Sequence, residues 1–198
     1  ARVSMDGEIA YMDQAVPGVR LSGVRVDLPP GAFLQAVPAA ESAMVDFVVE
    51  AAAGVDRIAD LFCGVGTFTF ALAGVAPVYA ADGAAPAIAA LNAAVANAPG
   101  LKGVTAEARD LVRRPLLAQE MKKLDLVLFD PPRAGAAEQA GEIARSKVSR
   151  VIGVSCAPAT FARDARTLID AGFSLDRVLP VDQFLWSPHV ELVGVFSR

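Results

Sequence analysis

Five short strand-like runs, at residues 58–62, 78–81, 104–108, 124–129 and 151–154, alternate with stretches of helical or turn composition, and this alternation constrains the fold most. The run 151–154 is β-branched and nearly all apolar, which suits a strand covered on both faces, as in a parallel sheet. Helical patterns at 67–73, 85–97 and 159–171 follow the first, second and fifth runs. Right-handed crossovers between such strands predict an α/β fold with a doubly wound, Rossmann-like sheet, mostly parallel. The tail differs: the runs 175–181 and 190–196 have no helix between them, which predicts an antiparallel C-terminal strand pair added at the sheet edge. Ahead of all this, 2–12 and 19–28 alternate in character around Gly7, Pro17-Gly18 and Pro29-Pro30-Gly31, so a short β-hairpin segment precedes a helix at 39–53.

Ligands of open α/β sheets bind beyond the carboxyl ends of the strands, and each of these strands ends on residues with chemistry. The first runs into Asp60-Leu61-Phe62-Cys63-Gly64-Val65-Gly66-Thr67-Phe68, where Gly64 and Gly66 let a ligand approach the backbone. A dinucleotide fingerprint wants a third small residue at 69, but Thr69 stands there. The second ends at Asp82, the place of a carboxylate that accepts from ribose hydroxyls, and the third at Asp110, on the other side of an adenine-containing ligand. Order and spacing favour a nucleoside cofactor. The missing glycine, with Asp60 as an acceptor for an ammonium group, favours S-adenosylmethionine over NAD. The fourth strand ends in Asp130-Pro131-Pro132-Arg133, where Arg133 suits an anionic or carbonyl partner. The fifth delivers Cys156, a candidate nucleophile, whereas Cys63 reads as a small buried hydrophobe.

Composition removes several classes. The 198 residues fit one domain of ordinary size. No apolar stretch approaches a membrane span, and the N-terminus lacks a secretory pattern, so no membrane partner and a cytoplasmic location are expected. Two cysteines and one histidine, without paired spacing, predict no metal site. A net charge of −4 argues against holding nucleic acid by bulk electrostatics; a catalytic domain of this charge would borrow its basic surface from a neighbour. The clusters Arg113/Arg114, Lys122/Lys123 and Arg163/Arg166 read as solvated helix faces.

Taken together, Phe33-Leu34-Gln35, the Asp60 to Phe68 segment, Asp130-Pro131-Pro132-Arg133-Ala134-Gly135, Ser155-Cys156-Ala157-Pro158-Ala159-Thr160 with Arg163-Asp164, and His189-Val190-Glu191 resemble the S-adenosylmethionine-dependent RNA uracil C5-methyltransferases, which form 5-methyluridine in tRNA and rRNA. The resemblance runs from about Phe33 to Arg198. It implies a class I methyltransferase catalytic domain over 39–198, with 1–38 the β-rich remnant of a central, substrate-binding region. It implies that Cys156 is the nucleophile and Glu191 the base, with Gln35, Phe62, Thr67, Asp82, Asp110 and Asp130 lining the cofactor and substrate site. Family members carry a further N-terminal β-barrel domain, often with a cysteine-bound iron–sulfur cluster; it lies outside these residues and is expected to supply RNA affinity to a monomeric enzyme. Ala157 and Thr67 stand where the family usually has Asn, Asp82 where it has Glu, and Val37 where Asn is common.

The implied chemistry accounts for the residue types. Uracil carbon 5 is a poor nucleophile until a soft thiolate adds at carbon 6, and afterwards a carboxylate must remove the carbon 5 proton so that the thiol leaves. Arg133 is open between the enolate oxygen and a phosphate, and His189 between a structural role and an RNA contact. Phe184 and Trp186 are open between stacking on an unpaired base and strand packing. Two alternatives are an amino-group nucleic-acid methyltransferase using the Asp130-Pro131-Pro132 loop and a non-catalytic RNA-binding fragment.

Overall fold

The computed structural model describes residues 2–5, 8–12, 16–98, 100–184, 186–187 and 189–198. Seven strands form one sheet: β5 (Ile58–Leu61), β6 (Val78–Asp82), β7 (Val104–Ala108), β8 (Leu126–Phe129), β9 (Arg150–Ser155), β10 (Ser174–Val181) and β11 (Glu191–Ser197), in the order β10-β11-β9-β8-β5-β6-β7. Two hairpins precede it, β1 (Arg2–Met5) with β2 (Glu8–Met12) and β3 (Gly18–Leu21) with β4 (Val24–Asp27), both antiparallel.

The central strands β5, β8 and β9 are buried on both faces, since successive side chains point to opposite sides, whereas β7, with Thr105 and Glu107, is a half-exposed edge. Ile58, Leu126, Leu128, Ile152 and Val154 face one core, with Met44 and Val48 of α1 (Pro38–Ala51), Phe70 and Leu72 of α2 (Thr69–Leu72), and Ile88 and Leu91 of α3 (Ala85–Ala96). Ala59, Leu61, Val127, Phe129 and Val151 face the other, with Ile143 of α4 (Ala137–Arg145) and Ala165 and Leu168 of α5 (Pro158–Asp170). The sheet is therefore wound on both sides. Leu21 and Val26 of the β3–β4 hairpin enter the first core. Pro38, Pro86 and Pro158 lie at the first or second positions of α1, α3 and α5, where their fixed φ starts a helix without a lost hydrogen bond.

The C-terminal pair is antiparallel and adds at the sheet edge, as the sequence predicts, with β10 outermost: β11 lies between β9 and β10 and is the one reversed strand of the seven. Burial explains the choice, since β11 is almost wholly buried while β10 carries exposed Asp176 and Arg177, charges that suit an edge. The helix after β5 is confined to four residues because the Gly64–Gly66 turn consumes its first part. The helix α4 was not anticipated; its signal is short, with Gln139, Ala140 and Ile143 as the buried side. Arg113, Arg114, Lys122 and Lys123 are exposed, as expected of solvated charges, but on turns and bends, not helices.

Gly66 has φ of 102°, and a Cβ there would lie 2.7 Å from the Phe70 ring. Gly66→Ala therefore combines a disfavoured backbone with overpacking, and its urea unfolding midpoint should fall by the equivalent of about 1–3 kcal/mol. Among the described residues no helix is long and apolar enough to cross a membrane.

Candidate active site

The parallel strands all deliver their carboxyl ends to one rim, and β11, being reversed, starts there. A cleft of about 580 Å³ opens along this rim, lined by Phe33 and Gln35 ahead of α1, Phe62 and Gly64 after β5, Asp82 and Gly83 after β6, Asp110, Leu111 and Val112 after β7, Asp130, Pro131, Pro132 and Arg133 after β8, Cys156 after β9, and Phe184 and Glu191 around the β10–β11 connection. Nine of the residues singled out from the sequence thus meet in one place: Gln35, Phe62, Gly64, Asp82, Asp110, Asp130, Arg133, Cys156 and Glu191.

The approach of Cys156 and Glu191 is a matter of register. Leu192 is opposite Ser155 in the antiparallel β9–β11 pair, so one step further sets Glu191 opposite Cys156. Ser155 ends the strand, its hydroxyl accepting from the Ala157 N–H at 3.2 Å, and Pro158 begins α5 immediately after.

The glycine turn is shaped from below. Phe62 has φ of 62°, an unusual conformation for a bulky residue and one that concentrates at functional sites. Gly64 has φ of 55°, and a Cβ built on it would meet nothing within 4 Å, so its outer side is free for a ligand. The Gly64 N–H donates to Asp82 at 2.9 Å and the Ala84 N–H donates to the other Asp82 oxygen at 2.7 Å. That carboxylate fixes the turn and keeps lone pairs for the cleft. Asp110 is held likewise, accepting from the N–H groups of Val112 and Arg113 at 3.1 Å each.

Asp60, Gly66, Thr67 and His189 do not line the cleft. Asp60 is fully buried beneath the turn, where one oxygen accepts from the Thr69 hydroxyl at 2.5 Å and the other has no partner. Burial, opposed by the Thr69 hydrogen bond and reinforced by Asp82, lifts its pKa to about 7. Between about pH 4 and 7 the folded chain therefore keeps a proton that the unfolded chain has lost, and stability falls as pH rises. Asp60→Asn should remove that slope, so the variant gains on the wild type from pH 4 to 7 in parallel urea titrations. Gly66 serves packing. His189 donates its backbone N–H to Ser187 at 3.0 Å and sets its ring edge-on to Phe184, with centroids 6.2 Å apart. Cys63 is buried, and burial with Asp60 and Asp82 nearby pushes its thiol far up, which leaves it inert.

Two sequence segments turn out to be one device. The loop after Asp130 is clamped by α5: Thr160 donates to the Arg133 carbonyl at 3.1 Å, Arg163 to the Ala134 carbonyl at 3.1 Å, and Asp164 accepts from the Ala136 N–H at 2.8 Å. Arg163 also pairs with Asp164 at 2.8 Å, so it is a clamp more than a solvated helix charge. Gly135 beneath the clamp has φ of 74°, which favours glycine, and a Cβ there would lie 2.7 Å from the buried Asp164 carboxylate. Asp164 is 3 % exposed, and Asp164→Ala leaves a buried N–H without a partner. The expected cost is about 1–3 kcal/mol in denaturant unfolding, with weakened activity because Asp130 and Arg133 lose their support.

Charge in the cleft is lopsided: Asp82, Asp110, Asp130 and Glu191 face one cation, Arg133. Burial holds Asp130 well above the usual carboxylate range, with Glu191, Asp60 and Asp82 adding to the effect. Burial also raises Glu191, against the opposing hydrogen bond from Gln183. Such a cleft disfavours a pyrophosphate and suits a cationic ligand with hydroxyl groups, whose charge would draw Asp130 and Glu191 back towards the carboxylate form. Gln183 itself carried no sequence signal. It is buried in the β10–β11 connection and donates to both Gln35, at 2.8 Å, and Glu191, at 3.0 Å. Among the described residues no group of three or more His, Cys, Asp or Glu side chains is placed to hold a metal ion.

A family model described as tRNA (uracil-5-)-methyltransferase matches residues 11–198. An uncharacterized RNA methyltransferase of Caulobacter vibrioides is 66% identical over all of this chain and 48% of its own length. The 23S rRNA (uracil(1939)-C(5))-methyltransferase RlmD of Shewanella amazonensis is 34% identical over 97% of this chain and 44% of its own. The tRNA (uracil-54, C5)-methyltransferase of Pyrococcus abyssi, solved with S-adenosyl-L-homocysteine, superposes with a TM-score of 0.79 at 29% identity, over 96% of this chain and 46% of that one. The chain spans about half the length of the curated relatives it matches.

Proposed function

Because this chain belongs to the tRNA (uracil-5-)-methyltransferase family, we propose that it is the catalytic portion of an enzyme that methylates carbon 5 of a uridine in tRNA or rRNA, with S-adenosylmethionine as methyl donor. The observation that carries the reading is the convergence of Cys156 and Glu191 in one acidic cleft through the β9–β11 register.

The residues present fit the cofactor. Asp82 and Asp110 offer acceptors to ribose and adenine, and Gly64 leaves its outer side open to the ligand. The four cleft carboxylates favour a sulfonium, while Gln35 and Phe62 complete the walls. When bound, S-adenosylmethionine supplies the electrophilic methyl group that carbon 5 attacks. Asp60 and Gly66 lie behind the turn, Asp60 bonded to Thr69 and Gly66 packed on Phe70.

The chain's own residues perform the remaining steps. The Cys156 thiolate adds to carbon 6, forming a C–S bond as the ring electrons move into an enolate. Arg133 lies in the same cleft and is suited to that oxygen or to a backbone phosphate. After methylation, carbon 5 still bears its proton. Glu191 takes it, the C–H electron pair forms the 5,6 double bond, and the C–S bond breaks to return the Cys156 thiolate. Carbon 6 of a stacked base is out of reach, so the target uridine must be turned out of its helix. Residues 39–198 serve as the catalytic domain and 1–38 as part of a substrate-binding region, with RNA affinity supplied by the rest of the protein. The direct test gives full-length protein unmodified tRNA and rRNA transcripts with S-adenosylmethionine, followed by nucleoside mass spectrometry. 5-Methyluridine is the expected product; an N-methylated base, or no methylation at all, contradicts the reading.

A further inference from the structure

Glu191 is 4 % exposed, and its hydrogen-bond partner among the described residues is the side chain of Gln183, itself 5 % exposed. The Gln183 amide nitrogen has two hydrogens and spends both, one on Glu191 and one on the Gln35 side-chain oxygen. Its own oxygen is buried without a partner. A buried orphan acceptor is costly, and natural structures seldom carry one without a reason. The ionisable groups on elements around Glu191 are Asp130 and Arg133 beyond β8, Cys156 beyond β9, and Asp182 and His189 in the connection; among the described residues none of them bonds to it.

Resting on the methylation reading above, we propose that Gln183 is a positioning residue for the release step: it holds Glu191 as a carboxylate aimed at the carbon 5 proton and couples that carboxylate to Gln35 in one hydrogen-bonded chain. Neutral Glu191 is a donor, and a half-turn of the Gln183 amide presents its oxygen to the new O–H. The same half-turn presents that oxygen to Gln35, whose amide turns in step to donate its N–H. The Gln183 nitrogen then takes the place the oxygen held, so one atom of the amide is without a partner in either state. Proton capture by Glu191 is thereby communicated to Gln35, a wall of the same cleft.

On this reading Gln183 acts after carbon–sulfur bond formation and methyl transfer, so its loss separates two steps. The test uses full-length protein, radiolabelled substrate RNA and S-adenosylmethionine in single turnover, following the denaturation-resistant Cys156–RNA adduct by gel. In Gln183→Met, adduct formation should stay within about threefold of wild type, while its decay slows about ten- to a hundredfold, the worth of one hydrogen bond to a charged group. Losing the donor also disfavours the carboxylate, so the rise of the decay rate with pH should move to higher pH. Gln183→Glu, nearly isosteric, should move it further by placing a second carboxyl beside Glu191, and it serves if the methionine variant does not fold. Equal slowing of formation and decay, or an unmoved pH profile, overturns the proposal while leaving the enzyme's function intact. No adduct with wild-type protein overturns the methylation reading itself, and this proposal with it.

Discussion

Replacing Cys156 by alanine in the full-length protein should abolish methyl transfer, by roughly 10⁴- to 10⁶-fold, the scale seen when a covalent nucleophile is removed. The loss is expected to lie in chemistry and not in folding. Cys156 is only half-buried at the strand end, and the turn that follows is held by Ser155 and Pro158, which the change leaves in place. Binding of S-adenosylhomocysteine by calorimetry should persist, because Asp82, Asp110 and Gly64, the residues proposed to hold the cofactor, line the cleft independently of the thiol. An amino-group methyltransferase using the Asp130 loop would retain activity in this variant, so rate measurements on Cys156→Ala separate the two chemistries.

Glu191→Gln should fail at a different point. Addition of the thiolate and methylation of carbon 5 do not need the carboxylate, but proton removal does. A methylated RNA still bonded to Cys156 is expected to accumulate, with turnover reduced roughly 10²- to 10⁴-fold, the usual contribution of a positioned general base. Intact-mass analysis after one turnover should find the protein heavier by the RNA plus one methyl group. Free 5-methyluridine RNA released at the wild-type rate would remove Glu191 from the mechanism.

The sequence carried the fold through its strand ends. Short strand-like runs alternating with helices declared a parallel sheet, and each is followed by a residue that the structure sets on one rim, from Gly64 and Asp82 to Cys156. Adjacency of those residues follows from parallel topology alone. Glu191 required the resemblance, because its place opposite Cys156 depends on β11 lying between β9 and β10, a choice made by burial of Val193 to Phe196 against the charged edge of β10. Asp60 shows the limit of proximity along the chain: being next to the glycine turn, it sits under the turn and not in the cleft. Thr160, Arg163 and Asp164 looked like neighbours of the thiol but act on the Asp130 loop, a long-range contact with no local periodicity to announce it. Gln183 was silent for the same reason, since a single amide in an irregular connection has no pattern until its partners are seen.

The central claim is a covalent bond between Cys156 and uracil carbon 6, and substrate RNA carrying 5-fluorouridine tests it most directly. Fluorine in place of the carbon 5 proton leaves Glu191 nothing to remove, so full-length protein with S-adenosylmethionine should form a stable, denaturation-resistant complex. Peptide mapping should place the bond on Cys156, and Cys156→Ala should form none. An enzyme that methylates ordinary RNA but forms no adduct with the fluorinated RNA, or bonds through another residue, would contradict the account.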